Sequence, residues 1–324
     1  MKFRKAFLME PGHFEVKDVE ENINENQILI KVDSCGLCNW ELNFWKGYLN
    51  FCGYPHPLGH EYAGTVVEVG SEVEDFKVGD KACSLGSNFG GFAEYVVCDA
   101  DRSVKIPEHL DTRYVLGEPL KCIMTVLDQT AVKPGDYGVV LGCGPMGQWC
   151  IQGLAGNLMA GLIAIDVDDH KLEMAKKYGA THVINSKKEN VEERLQEITD
   201  GHMADFVIEG TGIPELINDA MSYIRTNGRG RLIIMSAYER VANQVDLRMA
   251  VDRSLDIIVA HPGHSFDEVD DLRRAVTLLS KGTLNVKDLI SHEFSLDEMD
   301  LAFQTLEHKP KDYLKGLVYI GEKR

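Results

Sequence analysis

The chain has 324 residues, enough for two domains that each bury a sizeable interior. Its 51 Asp and Glu against 34 Lys and Arg leave a formal net charge of −17, and no Lys/Arg run offers a face for tracking phosphates, which argues against nucleic acid as a partner. No apolar run approaches the length of a bilayer span, the opening MKFRKAFLME reaches Glu10 after a short apolar stretch, and eight irregularly spaced cysteines read as reduced thiols and metal ligands, so a cytoplasmic protein is expected.

From Phe3 to about Lys105, short β-type runs (QILIKVD, AGTVVEVG, DKACSLG, FAEYVVCD) alternate with turn signals such as EPG and VGD, which predicts a β-rich domain. From about Tyr137 the pattern changes to apolar strands alternating with helical stretches: YGVVLG, GLIAIDVD, DHKLEMAKKYGA, HVIN, DFVIEGTG, RGRLIIMS, DIIVA. That alternation predicts an α/β doubly wound parallel sheet. Beyond Gly263 come two helical stretches, DEVDDLRRAVTLLSKG and SLDEMDLAFQTLEHK, and a last strand, KGLVYI, whose local pattern fits either sheet.

In VVLGCGPMGQW, Gly142, Gly144 and Gly147 have G-x-G-x-x-G spacing between a predicted strand and a predicted helix, with Pro145 and Met146 inside the loop. Such glycines permit a tight turn and close backbone approach, and the helix N-terminus offers N–H groups to a pyrophosphate. Asp166 ends the next predicted strand, where an acid hydrogen-bonds the adenosine ribose of a dinucleotide. A carboxylate there would repel a 2′-phosphate, and no Lys or Arg follows before Lys171, so NAD is expected over NADP.

Cys35 and Cys38 form one C-x2-C, but Cys52, Cys83, Cys98, Cys122, Cys143 and Cys150 supply no second pair, so a closed four-ligand zinc site is not expected. A catalytic zinc needs only three protein ligands and an open position. In GLCNWE, GHEYAGTVVEVG, VGDKA, GGFAEYVV, GEPL, VKPGDYGVVLGCGPMG and FVIEGTG, taken in this order over essentially the full length, the chain resembles the zinc-dependent medium-chain dehydrogenase/reductase family, its polyol dehydrogenase branch most closely. The resemblance implies a GroES-like catalytic domain over residues 1–122, a Rossmann NAD-binding domain over 123–264, and a return to the catalytic domain over 265–324. It implies Cys38 as zinc thiolate, His60 as imidazole ligand, Glu61 as ligand or close neighbour exchanging with water, and Glu118 as a glutamate on the metal or its water. Glu41 falls where an acid orients a ligand, and Cys35 matches a non-ligand cysteine. The family's structural zinc lobe, four cysteines between VGD and GGFAEY, is missing here, so one zinc per chain is expected.

Trp40 and Asn43 occupy positions where related enzymes carry a Ser or Thr and a histidine that pass the substrate proton to solvent. Indole only donates and an amide does not titrate near neutral pH, so the proton needs another route: Glu61, Glu118 or a zinc-bound water, with His56 a weaker candidate. Trp40 either packs the cleft wall or gives a ring platform to a sugar or cyclitol. Lys315 matches a base that contacts the cofactor phosphates, and reads alternatively as a solvated lysine. The expected function is NAD- and zinc-dependent hydride transfer at a secondary alcohol, of a polyol, sugar or cyclitol, by a homodimer or homotetramer joined near LDIIVA. The rivals are a zinc-free quinone-reductase-like enzyme and a redox-silent NAD-binding sensor.

Overall fold

The first strand, β1 (Lys2–Glu10), buries Phe3, Lys5, Ala6 and Leu8, so that side chains from both of its faces are covered. The computed structural model describes residues 1–85, 89–226, 228–238, 244–260 and 264–321. The chain divides into two compact units, Met1–Lys121 with Asp267–Arg324, and Cys122–Phe266.

In the first unit, β1 turns through Pro11 and Gly12 into antiparallel β2 (His13–Glu20). The strand β3 (Gln27–Gly36) ends beside the short α1 (Asn39–Trp45), and β4 (His56–Pro57) pairs with β1, giving a three-stranded sheet in the order β2-β1-β4. Then come β5 (Tyr62–Val69), β6 (Lys81–Ser84), β7 (Tyr95–Asp99) and β8 (Ser103–Ile106), followed by α2 (Gly117–Thr130). The larger sheet runs outward from β3 through β5 and β6 to β8, while β7 pairs with β3. Ile28, Leu29, Ile30, Val32, Ser34 and Cys35 are all buried, the near-continuous burial expected of a strand covered on both faces.

The second unit carries β9 (Tyr137–Leu141), α3 (Pro145–Leu154), β10 (Gly161–Asp166), α4 (Asp169–Lys177), β11 (His182–Asn185), α5 (Val191–Ile198), β12 (Phe206–Glu209), α6 (Ile217–Ser222), β13 (Arg231–Ile234), α7 (Leu247–Asp252) and β14 (Asp256–Val259). All strand pairs are parallel, in the order β11-β10-β9-β12-β13-β14. This is the doubly wound sheet expected, reversing direction between β9 and β12, where such sheets bind ligands at the carboxyl ends of their strands. Its core is aliphatic: Val139, Ile163, Ile165, Ile184, Val207 and Leu232.

The chain then re-enters the first unit as α8 (Glu268–Ser280), β15 (Ile290–Ser295), α9 (Met299–His308) and β16 (Lys315–Tyr319). The last strand, undecided from its local pattern, joins the sheet of β3: Leu317 pairs with Gly36 and Val318 with Cys35, antiparallel, while β15 lies parallel on its other side. Phe303 of α9 packs on Phe14 and Trp45, with ring centroids 5.0 and 5.5 Å away, and so ties the returning segment to the core.

Candidate active site

The end of β3 delivers Cys38 to the N-cap position of α1 in an extended conformation, φ −109° and ψ 135°. The main chain of Gly36 donates to the carbonyl of Glu61 at 2.9 Å, which holds the segment before β5 against the end of β3. A Cβ at position 36 would lie 2.0 Å from Oε2 of Glu61, so any larger residue there would displace that carboxylate. Glu41, one turn into α1 and fully buried, accepts from the Gly59 N–H at 2.6 Å through Oε1 and holds Nδ1 of His60 at 2.8 Å. With Nδ1 so engaged, Nε2 is left for another partner, the arrangement a metal-binding histidine requires.

Cys38 Sγ, a ring nitrogen of His60 and a carboxylate oxygen of Glu61 converge, all within 4.8 Å of one another. A thiolate, an imidazole and a carboxylate at that spacing suit zinc, whose bonds to such ligands run about 2.0–2.3 Å. Burial pushes the His60 imidazole down, but Glu41 and Cys38 outweigh it and hold the ring well above its ordinary value, so this place favours a positive charge. Cys35 stands apart: its thiol is buried, hydrogen-bonded weakly to the Gly36 carbonyl, and pushed well up by desolvation.

Glu61 within the cluster and Glu118 beside it each pair with a buried lysine. Oε2 of Glu118, from the first turn of α2, lies 3.7 Å from Nε2 of His60, and its Oε1 is 3.3 Å from the ammonium of Lys121, which also meets Glu268 at 3.3 Å. Glu61 is 1% exposed and is paired by Lys315, 2.6 Å from its Oε2. Lys315 is 7% exposed, which corrects the alternative reading of a solvated lysine. Its ammonium donates to Glu61 and to the Leu37 carbonyl at 2.9 Å each, and a buried carboxylate at that place needs such a counter-charge. Burial works against the ammonium, but Glu61 and Cys38 raise it above its ordinary value.

Trp40 is half-buried, with its ring 6.1 Å from that of His60, stacked on Phe89 at 5.5 Å and edge-on to Phe44 at 5.1 Å. His56 packs between Phe44 and Phe89, and its Nε2 is buried without a hydrogen-bond partner. Sequence reasoning singled out Trp40 and His56 but missed Phe44, Phe51 and Phe89 around them. Lys121 was missed too, although its place three residues after Glu118 in a helical stretch is a readable i,i+3 signal.

In the second unit, Gly142 leaves β9 with φ +95°, Gly144 caps α3, and Pro145 opens its first turn. A Cβ on Gly147 would lie 2.0 Å from the Gly142 carbonyl oxygen, so turn and helix can approach this closely only through glycine. A Cβ on Gly144 would meet nothing within 4 Å, leaving space beside the first-turn N–H groups of Met146 and Gly147, which have no partner within the helix. Asp166 accepts from the Cys143 N–H at 2.7 Å through Oδ2, and from Val167 and Asp168 through Oδ1, so it braces the loop as well as standing at the strand end. These features suit a dinucleotide. Glu209, unremarked in the sequence, is wholly buried at the end of β12, accepting from the Thr211 N–H at 2.7 Å and the Tyr238 hydroxyl at 2.6 Å; Thr211 in turn packs on Gly142.

Comparison with known proteins gives concordant matches. Residues 24–108 match the model for the alcohol dehydrogenase GroES-like domain, and residues 145–281 that for the zinc-binding dehydrogenase. The sorbitol dehydrogenase of Halalkalibacterium halodurans is 26% identical over 326 residues, covering 91% of this chain and 93% of that protein. The D-arabitol-phosphate dehydrogenase of Enterococcus avium is 27% identical, covering 90% and 91%. Among solved structures, an Escherichia coli oxidoreductase/dehydrogenase of unknown specificity superposes with a TM-score of 0.88 at 26% identity, covering 99% of this chain and 100% of that one.

Proposed function

The chain belongs to the zinc-type medium-chain dehydrogenases, among relatives that include sorbitol and arabitol-phosphate dehydrogenases, and we propose that it transfers hydride between NAD and a secondary alcohol, at one zinc per chain. The observation that carries this reading is the convergence of Cys38, His60 and Glu61 within 4.8 Å, with the imidazole already oriented by Glu41. Those three residues would hold the metal, with Glu118 the alternative glutamate 3.7 Å from His60. Zinc would supply Lewis acidity toward the hydroxyl oxygen and NAD the hydride acceptor.

The remaining work falls to side chains. Glu41 fixes the His60 tautomer, and Lys315 and Lys121 pair with Glu61 and Glu118 and hold their carboxylates in place. With Trp40 and Asn43 unable to relay, Oε2 of Glu118 receives the proton that alcohol oxidation releases. In the second unit, Gly142, Gly144, Pro145, Met146 and Gly147 form the pyrophosphate cradle, and Asp166 binds the adenosine ribose and disfavours a 2′-phosphate.

We further propose a homodimer through the edge strand β14, whose Ile257 and Val259 are 41% and 51% exposed; Leu247 and Val251 of the preceding α7 are exposed as well. A monomer by light scattering at micromolar concentration would refute the dimer. Reduced thiols and a thiolate ligand suit a reducing compartment, the cytoplasm. Among the described residues, no helix is long and apolar enough to cross a membrane. The reading is tested by assaying the purified, zinc-loaded protein for NADH formation with a panel of polyols, sugars, cyclitols and simple secondary alcohols. Absence of NADH with every alcohol, together with tight NAD binding, would favour a sensor instead.

A further inference from the structure

The metal cluster and its carboxylates leave one feature without a role. Two rings stand edge-on to His60: Trp40 at 6.1 Å and 84°, and Phe89 at 6.0 Å and 80°. They stack on each other at 19°, and the patch continues through Phe51, 6.4 Å from Trp40 and 67% exposed. The other two tryptophans, Trp45 and Trp149, are 4% and 0% exposed, whereas Trp40 keeps ring surface uncovered beside the cluster. A contiguous apolar surface left open next to a reactive centre marks a binding wall.

Among the described residues, the charged groups beside this wall pair with one another. Lys121 and Lys315 sit on Glu118 and Glu61, and Glu41 on His60. An open-chain polyol brought against this wall would lose water from several hydroxyls with few partners to replace it, a cost of a few kcal/mol for each hydroxyl left unpaired. A ring sets its C–H or π face on indole and turns its substituents away.

We propose that the substrate is a ring alcohol, its carbinol carbon within or directly attached to a six-membered ring whose face lies on Trp40. This rests on the hydride-transfer reading above. A saturated ring and an aromatic ring share the recognising chemistry, and the test separates them.

With zinc- and NAD-loaded protein, kcat/KM is measured for cyclohexanol, myo-inositol and 1-phenylethanol against sorbitol. At least one ring alcohol is expected to exceed sorbitol, and the preferred one identifies the ring class. Trp40→Leu should then lower the ring substrate's kcat/KM by about 10- to 200-fold more than sorbitol's, and Trp40→Phe should retain most of the preference. Equal losses on ring and open-chain substrates, or a preference for sorbitol in the unaltered protein, would overturn the proposal. A binding measurement keeps it separable from hydride transfer. Because Trp40 is the exposed indole, ring alcohols should change the intrinsic fluorescence saturably, and Trp40→Phe should abolish that change. If NADH never forms yet this signal appears, the hydride-transfer reading fails and the ring site stands; if no saturable signal appears with any ring alcohol, the ring site fails.

Discussion

Replacing Lys315 with methionine keeps the length and apolar stem of the side chain and removes only the charge that faces Glu61. The partner left behind is a carboxylate 1% exposed, just before β5. Breaking a buried pair from one side typically costs about 3–5 kcal/mol, because the surviving charge has neither solvent nor partner. At about 2–4 °C per kcal/mol for a domain of this size, the melting temperature of the first unit should fall by roughly 6–20 °C in chelator-treated protein. Zinc supplies a second counter-charge to the same carboxylate, so its addition should recover part of that loss, and more in the variant than in the unaltered protein. Lys315→Met with Glu61→Gln should also recover part of it, by removing the stranded charge. The sign of the pH dependence follows from the raised ammonium. Burial opposes its charge, Glu61 and Cys38 prevail, and a group raised on folding stabilises fully below its ordinary pKa and loses that contribution as pH rises through the raised value. The deficit of the variant should therefore be constant across neutral pH and shrink only in strong alkali. Scanning calorimetry with and without chelator is the assay. A metal-free variant as stable as the unaltered protein, or one that zinc stabilises no more than it stabilises the unaltered protein, would refute the reasoning.

Glu118→Gln should keep zinc and NAD binding but lower kcat by roughly 10²- to 10⁴-fold, as loss of a positioned proton acceptor does; Trp40→Ser with Asn43→His should partly restore turnover, and wild-type kcat with full zinc occupancy would return Glu118 to an ordinary first-turn acid. Asp166→Ala with Val167→Arg should shift the ratio of kcat/KM from NAD toward NADP, and an unchanged ratio would count against Asp166 as the ribose ligand.

Features that depend on near neighbours were legible in the sequence. The strand–turn–helix around Gly142 and the acid ending β10 are local patterns, and the structure forms both. What depended on distant partners was not. KGLVYI has the same local pattern in either sheet, and only its pairing with β3, nearly the whole chain away, places it. The partner of Lys315 lies 254 residues earlier in sequence, so a lysine that reads as solvated is buried on Glu61. The rings around Trp40 come from α1, from the loop after it and from Phe89, and no periodicity links them. Glu209 shows a further limit: a glutamate ending an apolar strand looks solvent-facing, yet the backbone of Thr211 and the hydroxyl of Tyr238 turn inward to satisfy it.

The central claim is that Cys38, His60 and a glutamate hold a zinc ion that the reaction needs. Elemental analysis of the purified protein, paired with that of Cys38→Ser, tests it most directly. The account predicts one zinc per chain in the first, little in the second, and NADH formation that tracks the zinc content. A zinc-free protein that still reduces NAD with an alcohol, or a Cys38→Ser protein that retains both zinc and turnover, would contradict it.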